Sequence, residues 1–337
     1  MFNKLVIKLC YKIPFFAKFF LKGRGFVFML HRVLPQEKRG FDWNKSLAIS
    51  PESLEEWIKF FRKKGFDIVS MDEVCQRIKT KKGKKFIAFT MDDGYKDNLY
   101  NGLPIFKKLN VPCTIYVSNC FPNNHAVYWW YFLEDYIKKN NTIDLKEIGI
   151  TYKKTFSDSE KFIAYNEVRE LLRKSDYGTQ LNFALKICKI KDLKQMNRSF
   201  NLTWDEVKRL SEDPLITIGG HTIHHISLKN QSNAVCKHEI NKGTQELKDK
   251  IGETIKHFAY PYGSKDDYSI DLIELLEKNN YKSAVINHPG SILSNSREAL
   301  YSIPRMGLTD ETSIGKINDL FSGRVHLNFN GVSKEYI

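Results

Sequence analysis

The chain has 337 residues, of which 42% are hydrophobic and 13% aromatic, so it is long enough and apolar enough to bury a sizeable core. This composition indicates a globular rather than a disordered protein. The 53 lysines and arginines exceed the 39 aspartates and glutamates, and the formal net charge of +14 favours anionic partners without choosing between phosphates, nucleic acid and membrane surfaces.

The first 24 residues form a basic amphipathic segment in which lysines alternate with apolar residues at nearly helical intervals. Its apolar runs are too short to span a bilayer, and it has neither the apolar core nor the cleavage site of a signal peptide. Residues 1–22 therefore predict a helix on an anionic membrane surface or, equally, a helix packed on its own domain. Six cysteines without a CxxC pair fit a reducing compartment. We expect a cytoplasmic protein, free or peripheral at the inner face of the cell membrane.

Short apolar segments that end in polar residues or glycine alternate with helix-like stretches along most of the chain. The segments begin at residues 25, 84, 111, 214, 255 and 281. Continuous apolar strands separated by helices are typical of a parallel sheet, and here they predict a β/α barrel. We assign residues 25–122 and 204–310 to this barrel and residues 311–337 to a C-terminal tail.

Residues 123–203 interrupt the alternation with mostly helical periodicity, and we interpret them as a helical insertion. The insertion contains three adjacent aromatic residues, Trp129, Trp130 and Tyr131. They can form the core of the insertion, or they can shape a cleft, since aromatic faces stack well on sugar rings.

Two adjacent aspartates, Asp92 and Asp93, follow an apolar run and precede Gly94 in the stretch FIAFTMDDGYKDN. Neighbouring carboxylates disfavour each other's ionisation. At the carboxyl end of a barrel strand, however, one acid can face a metal ion whose charge offsets the repulsion while the other faces a bound water. Alternatively, the pair caps the following helix by accepting backbone N–H bonds.

Histidines cluster in IGGHTIHHISL, residues 218–228. His221 and His225 are four residues apart, a spacing that brings both rings to one face of a helical turn, and His224 is a competing partner. A histidine-rich surface turn is the alternative. One aspartate and two histidines would make a three-ligand site with room for water, which suits catalytic zinc and also iron, cobalt or nickel.

TMDDG at 90–94 resembles the TFDDG motif, and HTIHH at 221–225 the H[ST]xxH motif, of the NodB-type polysaccharide deacetylases, carbohydrate esterase family 4. FAYPYG at 258–263 looks like the third motif of that family. The resemblance implies a distorted (β/α)7-type barrel (NodB homology) in which Asp92 is the general base. It also implies one divalent metal ion, with zinc the first expectation and cobalt, nickel or iron(II) the alternatives, bound by Asp93, His221 and His225. Thr222 would hold the histidine loop.

Other roles follow from further resemblances. FMLHRVLP is similar to the YHxV segment of exopolysaccharide deacetylases in this superfamily, which implies that His31 is the general acid. His288, in INHPG, is the alternative, because members with the usual motif order take their acid from a late motif. FAYPYG lacks the arginine that orients the base in many members. Arg305, after another predicted strand in YSIPRMG, would supply that charge from a different loop, or it forms a surface salt bridge. The backbone N–H of Tyr262 would stabilise the oxyanion.

The resulting hypothesis is a metal-dependent hydrolase that removes the N-acetyl group from an amino sugar in a bacterial surface glycan or in its lipid- or nucleotide-linked precursor. Its partners would be an N-acetylated glycan and an anionic membrane surface. Nucleic acid is not expected, because only the charge favours it. A metal-dependent phosphoesterase is one alternative, although it would favour a two-metal centre. A noncatalytic glycan- or membrane-binding module of the same fold is another.

Overall fold

The computed structural model describes residues 23–40, 42–80, 83–293 and 296–325. The predicted membrane contact through residues 1–22 lies outside these ranges. In chain order, the strands are β1 (Gly25–Leu30), β2 (Arg32–Val33), β3 (Ala48–Ile49), β4 (Asp67–Ile68), β5 (Phe86–Met91), β6 (Cys113–Val117), β7 (Thr142–Leu145), β8 (Ile150–Lys154), β9 (Ile216–Gly220), β10 (His257–Ala259), β11 (Ser283–Ile286) and β12 (Ile303–Gly307).

The helices surround these strands and fill the connections between them. In chain order, they are α1 (Pro51–Lys63), α2 (Met71–Thr80), α3 (Leu103–Leu109), α4 (Trp129–Lys139), α5 (Asp158–Lys174), α6 (Tyr177–Asn182), α7 (Leu193–Phe200), α8 (Trp204–Ser211), α9 (Asn233–Ile251), α10 (Ile270–Lys278), α11 (Arg297–Leu300) and α12 (Ile314–Ser322). Among the described residues, every helix is too short or too polar to cross a membrane.

Seven parallel strands close into a barrel in the order β1, β5, β6, β9, β10, β11, β12, because β1 pairs with both β5 and β12. Every residue of β1, β5 and β6 is buried, as expected for strands covered on both faces. This arrangement confirms the predicted (β/α)7-type barrel. β4 adds to the first two residues of β5, while β2 and β3 form a separate short pair.

The strand register sets which residues emerge together at the mouth of the barrel. Leu30 at the end of β1 pairs with Met91 at the end of β5, and Val117 of β6 pairs with Gly220 of β9. The residues that follow these four positions therefore leave the barrel at one edge, where parallel β/α barrels carry their reactive groups.

Helix α1 shows how local signals place the outer helices. The side chain of Ser50 accepts a hydrogen bond from the backbone N–H of Ser53, and a proline occupies the first turn. Leu54, Ile58 and Phe61, spaced by one helical turn, are buried against the barrel. The cap and the apolar face together place this helix against the barrel.

Between β6 and β9 the chain forms a second hydrophobic cluster with residues such as Leu133, Val168 and Phe183. The stretch is mainly helical, as the sequence predicted, but β7 and β8 also form an antiparallel hairpin that helical periodicity did not indicate. Trp129 and Trp130 belong to this cluster and are only 2% and 8% exposed. Within the stretch assigned to the tail, α12 packs its apolar face into the main core.

Candidate active site

The two adjacent aspartates lie where β5 ends, and the backbone separates their carboxylates. Asp92 continues the strand, since its N–H donates to the carbonyl of Leu30 at 3.0 Å. Asp93 then adopts a positive φ of 78°, and Gly94 follows with a φ of 107°. This left-handed turn points the two side chains in different directions. Both aspartates are buried, so each requires its own compensating partners.

Arg305 is the partner of Asp92. Its two terminal nitrogens donate to the two carboxylate oxygens at 2.7 Å each, and Nη1 also donates to Thr90 Oγ1 at 3.1 Å. Burial alone would raise the pKa of Asp92, but the charge and hydrogen bonds of Arg305 outweigh burial, and the pKa is lowered. The Asp92 carboxylate is therefore ionised and held in one orientation.

The position of Arg305 differs from the prediction. The sequence suggested a loop after a strand or a surface salt bridge, whereas Arg305 lies within β12, opposite Val27 of β1, and is 1% exposed. The difference has a simple cause: a strand of a closed barrel directs alternate side chains inward, so a strand residue reaches the site from the barrel interior.

The partners of Asp93 are two histidines. Asp93 Oδ1 lies 3.5 Å from His221 Nε2 and 3.2 Å from His225 Nε2. The three ligand atoms all lie within 4.8 Å of one another. His221 follows β9, and its Nδ1 lies 2.7 Å from the carbonyl oxygen of Ala259. Because a carbonyl oxygen can only accept, Nδ1–H donates a hydrogen bond to it, which leaves the Nε2 lone pair directed at Asp93.

The loop that carries the histidines is not the helical turn that their spacing predicted. Residues 221–225 are irregular, and Thr222 and His225 have positive φ angles of 64° and 54°. The backbone N–H of His225 donates to Thr222 Oγ1 at 3.0 Å, which closes the loop as the resemblance implied. The histidines converge because the chain folds back on itself, a conformation that residue spacing cannot reveal.

The chemistry of this cluster fits a divalent cation. Asp93 Oδ1 is buried and accepts no hydrogen bond, and burial lowers the pKa of His225 to about 4, so its ring is neutral near pH 7. One carboxylate and two imidazole nitrogens form the donor set of zinc or of a similar transition metal.

His224, the competing ligand, belongs to a different set of contacts. Its Nδ1 lies 2.6 Å from Glu239 Oε1, and its ring centroid is 4.3 Å from that of Tyr177. Glu239 Oε2 also accepts the N–H groups of Ile223 and His224 at 2.9 Å each. Glu239 therefore anchors the histidine loop from α9. Sequence reasoning missed this residue, because no local motif marks a carboxylate on the following helix.

The two candidate acids occupy different surroundings. His31 follows β1 and contributes to the lowered pKa of both Asp92 and Asp93. Its effect is smaller than the opposing effect of burial and smaller than that of the first-named partner of each carboxylate. His288 follows β11, and burial together with the charge of Lys265 lowers its pKa. Of the two candidate acids, His31 is thus the one that acts on the two aspartates.

Tyr262 lies in the turn after β10, with a φ of 61°, and its ring centroid is 4.8 Å from that of His225. Its hydroxyl accepts a hydrogen bond from Trp129 Nε1 at 3.2 Å. The ring of Trp130 lies 5.7 Å from that of His225. Trp129 and Trp130 therefore form part of the core of the insertion and also lie beside the site, whereas a role in shaping a sugar cleft stays a prediction.

Fold and site together define a class of protein: a (β/α)7 barrel with an Asp–His–His cluster beside an arginine-paired carboxylate at its mouth. Residues 79–283 match the polysaccharide deacetylase family model. The chain belongs to the polysaccharide deacetylase family and is an N-deacetylase of the carbohydrate esterase type. The matched range includes both aspartates and the histidine loop, whereas His31 and Arg305 lie outside it.

Solved structures with the same fold include two deacetylases and the protein IcaB, all of low sequence identity to this chain. The chain is 15% identical to the Streptococcus pyogenes deacetylase PplD in complex with acetate, over 88% of this chain and 96% of that one, with a TM-score of 0.55. It is 14% identical to the de-N-acetylase from Aggregatibacter actinomycetemcomitans, over 88% of this chain and 99% of that one, with a TM-score of 0.56. It is 15% identical to IcaB from Ammonifex degensii, over 91% of this chain and 97% of that one, with a TM-score of 0.53. A comparison with curated protein sequences finds no significant match.

Proposed function

We propose that the protein removes the N-acetyl group from an N-acetylated amino sugar of a bacterial surface glycan or of its lipid- or nucleotide-linked precursor, and that it requires one divalent metal ion, with zinc the first choice. The observation that carries this proposal is the ionised Asp92, fixed by Arg305, beside the buried Asp93, His221 and His225 cluster.

Each residue has a task in amide hydrolysis. A divalent cation held by the cluster would supply Lewis acidity to the attacking water and to the acetyl carbonyl. Asp92 removes the proton of that water, and Arg305 keeps both carboxylate oxygens in place during the transfer. The backbone N–H of Tyr262 donates to the developing oxyanion. His31 protonates the departing nitrogen, so that acetate and a free amino sugar are released.

Two further features support the proposed context. The cysteines in the described ranges carry free thiols, which fits a reducing compartment such as the cytoplasm. The net charge of +14 would favour an anionic membrane surface, where a lipid-linked precursor is found. We therefore propose action at the inner face of the membrane.

The test is acetate release by the metal-loaded protein from N-acetylated oligosaccharides and from lipid- or nucleotide-linked N-acetyl sugars. We expect release that requires the metal and falls by a factor of about 10²–10⁴ in Asp92→Asn, which keeps the shape of the base but cannot accept the proton. Metal content, measured by mass spectrometry, should be unchanged in this variant. Asp67→Asn, at the opposite end of the barrel, serves as the control.

The alternative functions predict different results. A phosphoesterase would release phosphate from phosphorylated sugars and usually holds two metal ions, whereas the described residues contain a single group of three ligand side chains. A noncatalytic module would bind glycan without releasing acetate from any substrate in the panel. Phosphate release without acetate, or binding without release, would contradict the proposal.

A further inference from the structure

The segment that carries His31 is anchored by a buried carboxylate that the mechanism does not yet use. Asp97 is 6% exposed, and its Oδ1 accepts the backbone N–H of Val33 at 2.7 Å. Its Oδ2 accepts a hydrogen bond from Arg32 Nε at 3.0 Å. One carboxylate thus binds both residues that follow His31.

The turn that follows Asp97 holds the same segment at two more points. The side-chain amide of Asn98 donates to the carbonyl of His31 at 2.8 Å, and that of Asn101 donates to the carbonyl of Val33 at 2.7 Å. Asn98–Gly102 form a π-helical turn, a rare conformation that is frequent at functional sites. This turn begins five residues after Asp93. The loop after β5, which carries Asp92, therefore also binds the segment that carries His31.

Arg32 connects the His31 segment to the insertion. Its guanidinium carbon lies 4.7 Å from the ring centroid of Tyr95 and 5.0 Å from that of Phe200. Tyr95 directly follows the catalytic turn, and Phe200 ends α7 of the insertion. The end of β1, the loop after β5 and the insertion therefore meet at one buried cation.

We propose that Asp97, together with Asn98, is a positioning residue for the general acid: it fixes the main chain around His31 so that the imidazole faces the nitrogen of the scissile amide. The inference rests on the proposed function, in which His31 gives its proton to that nitrogen. The competing explanation is that the Arg32–Asp97 pair serves folding alone, as many buried ion pairs do.

The first test measures the anchor without measuring catalysis. Asp97→Asn keeps the shape of the side chain but weakens its bonds to Val33 and Arg32. In the full-length, metal-loaded protein we expect backbone amide hydrogen exchange in residues 31–34 to become at least tenfold faster. Asp67→Asn, which weakens the partly buried ion pair to Arg77, should leave this segment unchanged. Unchanged exchange in Asp97→Asn would overturn the proposal.

The second test separates positioning of the acid from general damage to the site. An N-acetyl sugar has an amine leaving group that needs a proton, whereas 4-nitrophenyl acetate releases a phenolate that does not. For Asp97→Asn we expect kcat on the N-acetyl sugar to fall at least tenfold with KM within twofold, while turnover of the ester stays within twofold. Equal losses on both substrates would assign Asp97 a structural role and overturn the proposal.

A double variant that carries both Asp97→Asn and His31→Ala provides an independent check, measured on the N-acetyl sugar alone. His31→Ala should lower kcat, and the double variant should be no slower than His31→Ala, because a positioning residue has no effect once the group it positions is gone. Additive losses would contradict the proposal. Asn98→Ala, which removes the bond to the carbonyl of His31, should show the same pattern and replaces Asp97→Asn if that variant does not fold.

Failure of the proposed function and failure of the positioning role of Asp97 give different experimental results. If the wild-type protein releases no acetate from any substrate, the proposed function is wrong, and the catalytic role of the anchor is wrong with it. Hydrogen exchange then still reports whether Asp97 holds the His31 segment. If the wild type is active and Asp97→Asn accelerates exchange without changing turnover, only the positioning role is overturned.

Discussion

Several non-glycine residues of the site adopt positive φ angles, which are costly for residues with a side chain. Such strain persists only where the surrounding structure enforces it, and it is concentrated at functional sites. Here each strained residue turns the chain sharply beyond the end of a strand or within the histidine loop, so that side chains from different strands converge. The residues are Asp93, Thr222, His225 and Tyr262.

The pairing of Asp92 with Arg305 gives a prediction at this scale. Arg305→Lys keeps a positive charge but cannot form two parallel hydrogen bonds to the carboxylate. We expect the base to lose its fixed orientation and kcat to fall by about 10-fold to 100-fold. The pKa of Asp92 should rise as its hydrogen bonds weaken, so the base is ionised only at higher pH. The acid limb of the kcat/KM profile should therefore move to higher pH.

Arg77→Lys is the control for this prediction, because Arg77 pairs with Asp67 at the opposite end of the barrel. It should leave both kcat and the pH profile unchanged. If Arg305→Lys retained full activity and the wild-type profile, the second hydrogen bond would have no role in orienting the base.

At the scale of secondary structure, the elements around the barrel place and support the loops of the site. Helix α9 carries Glu239, which binds two backbone N–H groups and the ring of His224, and thereby holds the histidine loop. The same helix carries Glu246, which accepts hydrogen bonds from Asn119 and Asn123 in the loop after β6. One helix thus supports two loops of the site.

Glu239→Gln should weaken metal binding without touching a metal ligand. The amide keeps the size of the side chain but loses the charge that holds the loop, and loss of such outer contacts typically lowers metal affinity by about 10-fold to 100-fold. Titration of the metal-free protein with Zn²⁺ or Co²⁺ measures the change. Asp249→Asn, which alters an exposed hydrogen bond to Gln245 on the same helix, is the control. Equal affinity in the wild type and Glu239→Gln would show that the loop forms without this anchor.

The cap of α1 gives a prediction about stability alone. Ser50→Ala removes the acceptor for the N–H of Ser53 and the hydroxyl bond to Asp310. Loss of a helix cap costs about 1 kcal/mol, so the midpoint of urea unfolding should fall while kcat is unchanged. A change in kcat would mean that α1 communicates with the site.

At the scale of the whole molecule, the insertion and the barrel are joined around the catalytic loop. The carbonyl of Gly94 accepts the N–H of Leu202, and the buried ring of Tyr95 packs in the cluster of the insertion. On the other side of the site, Arg173 of α5 forms a buried ion pair with Asp267 in the segment after Tyr262. Because these contacts lie beside the site, the insertion helps to hold the loops of the candidate site in place.

The proposed membrane contact involves residues 1–22 and concerns how the whole protein is placed in the cell. Deletion of residues 1–22 removes the basic amphipathic segment, and we expect the shortened protein to be released from anionic vesicles in a sedimentation assay. Binding of the full chain should weaken as salt is added and should be weak on zwitterionic vesicles. Vesicle binding that survives the deletion would assign the contact to another surface.

The local pattern of the sequence predicted a β/α barrel, and the family resemblance of its motifs singled out the central residues of the site. Apolar runs ending in polar residues or glycine predicted the strands, because a strand buried on both faces leaves a continuous signature. The aspartate pair after one strand and the histidines after another predicted which side chains would meet, because parallel strands end at one edge. The irregular loop of His221 and His225, however, differs from the helical turn that their spacing suggested.

The tertiary structure alone decided the contacts between residues far apart in sequence. Arg305 binds Asp92 across 213 positions, Glu239 holds the histidine loop from another helix, and Trp129 of the insertion contacts Tyr262. Each of these contacts joins two segments, and the local sequence of one segment carries no information about the other. A sequence fixes periodicity and turn chemistry within a few residues, whereas closure of the barrel determines which distant side chains share one buried volume.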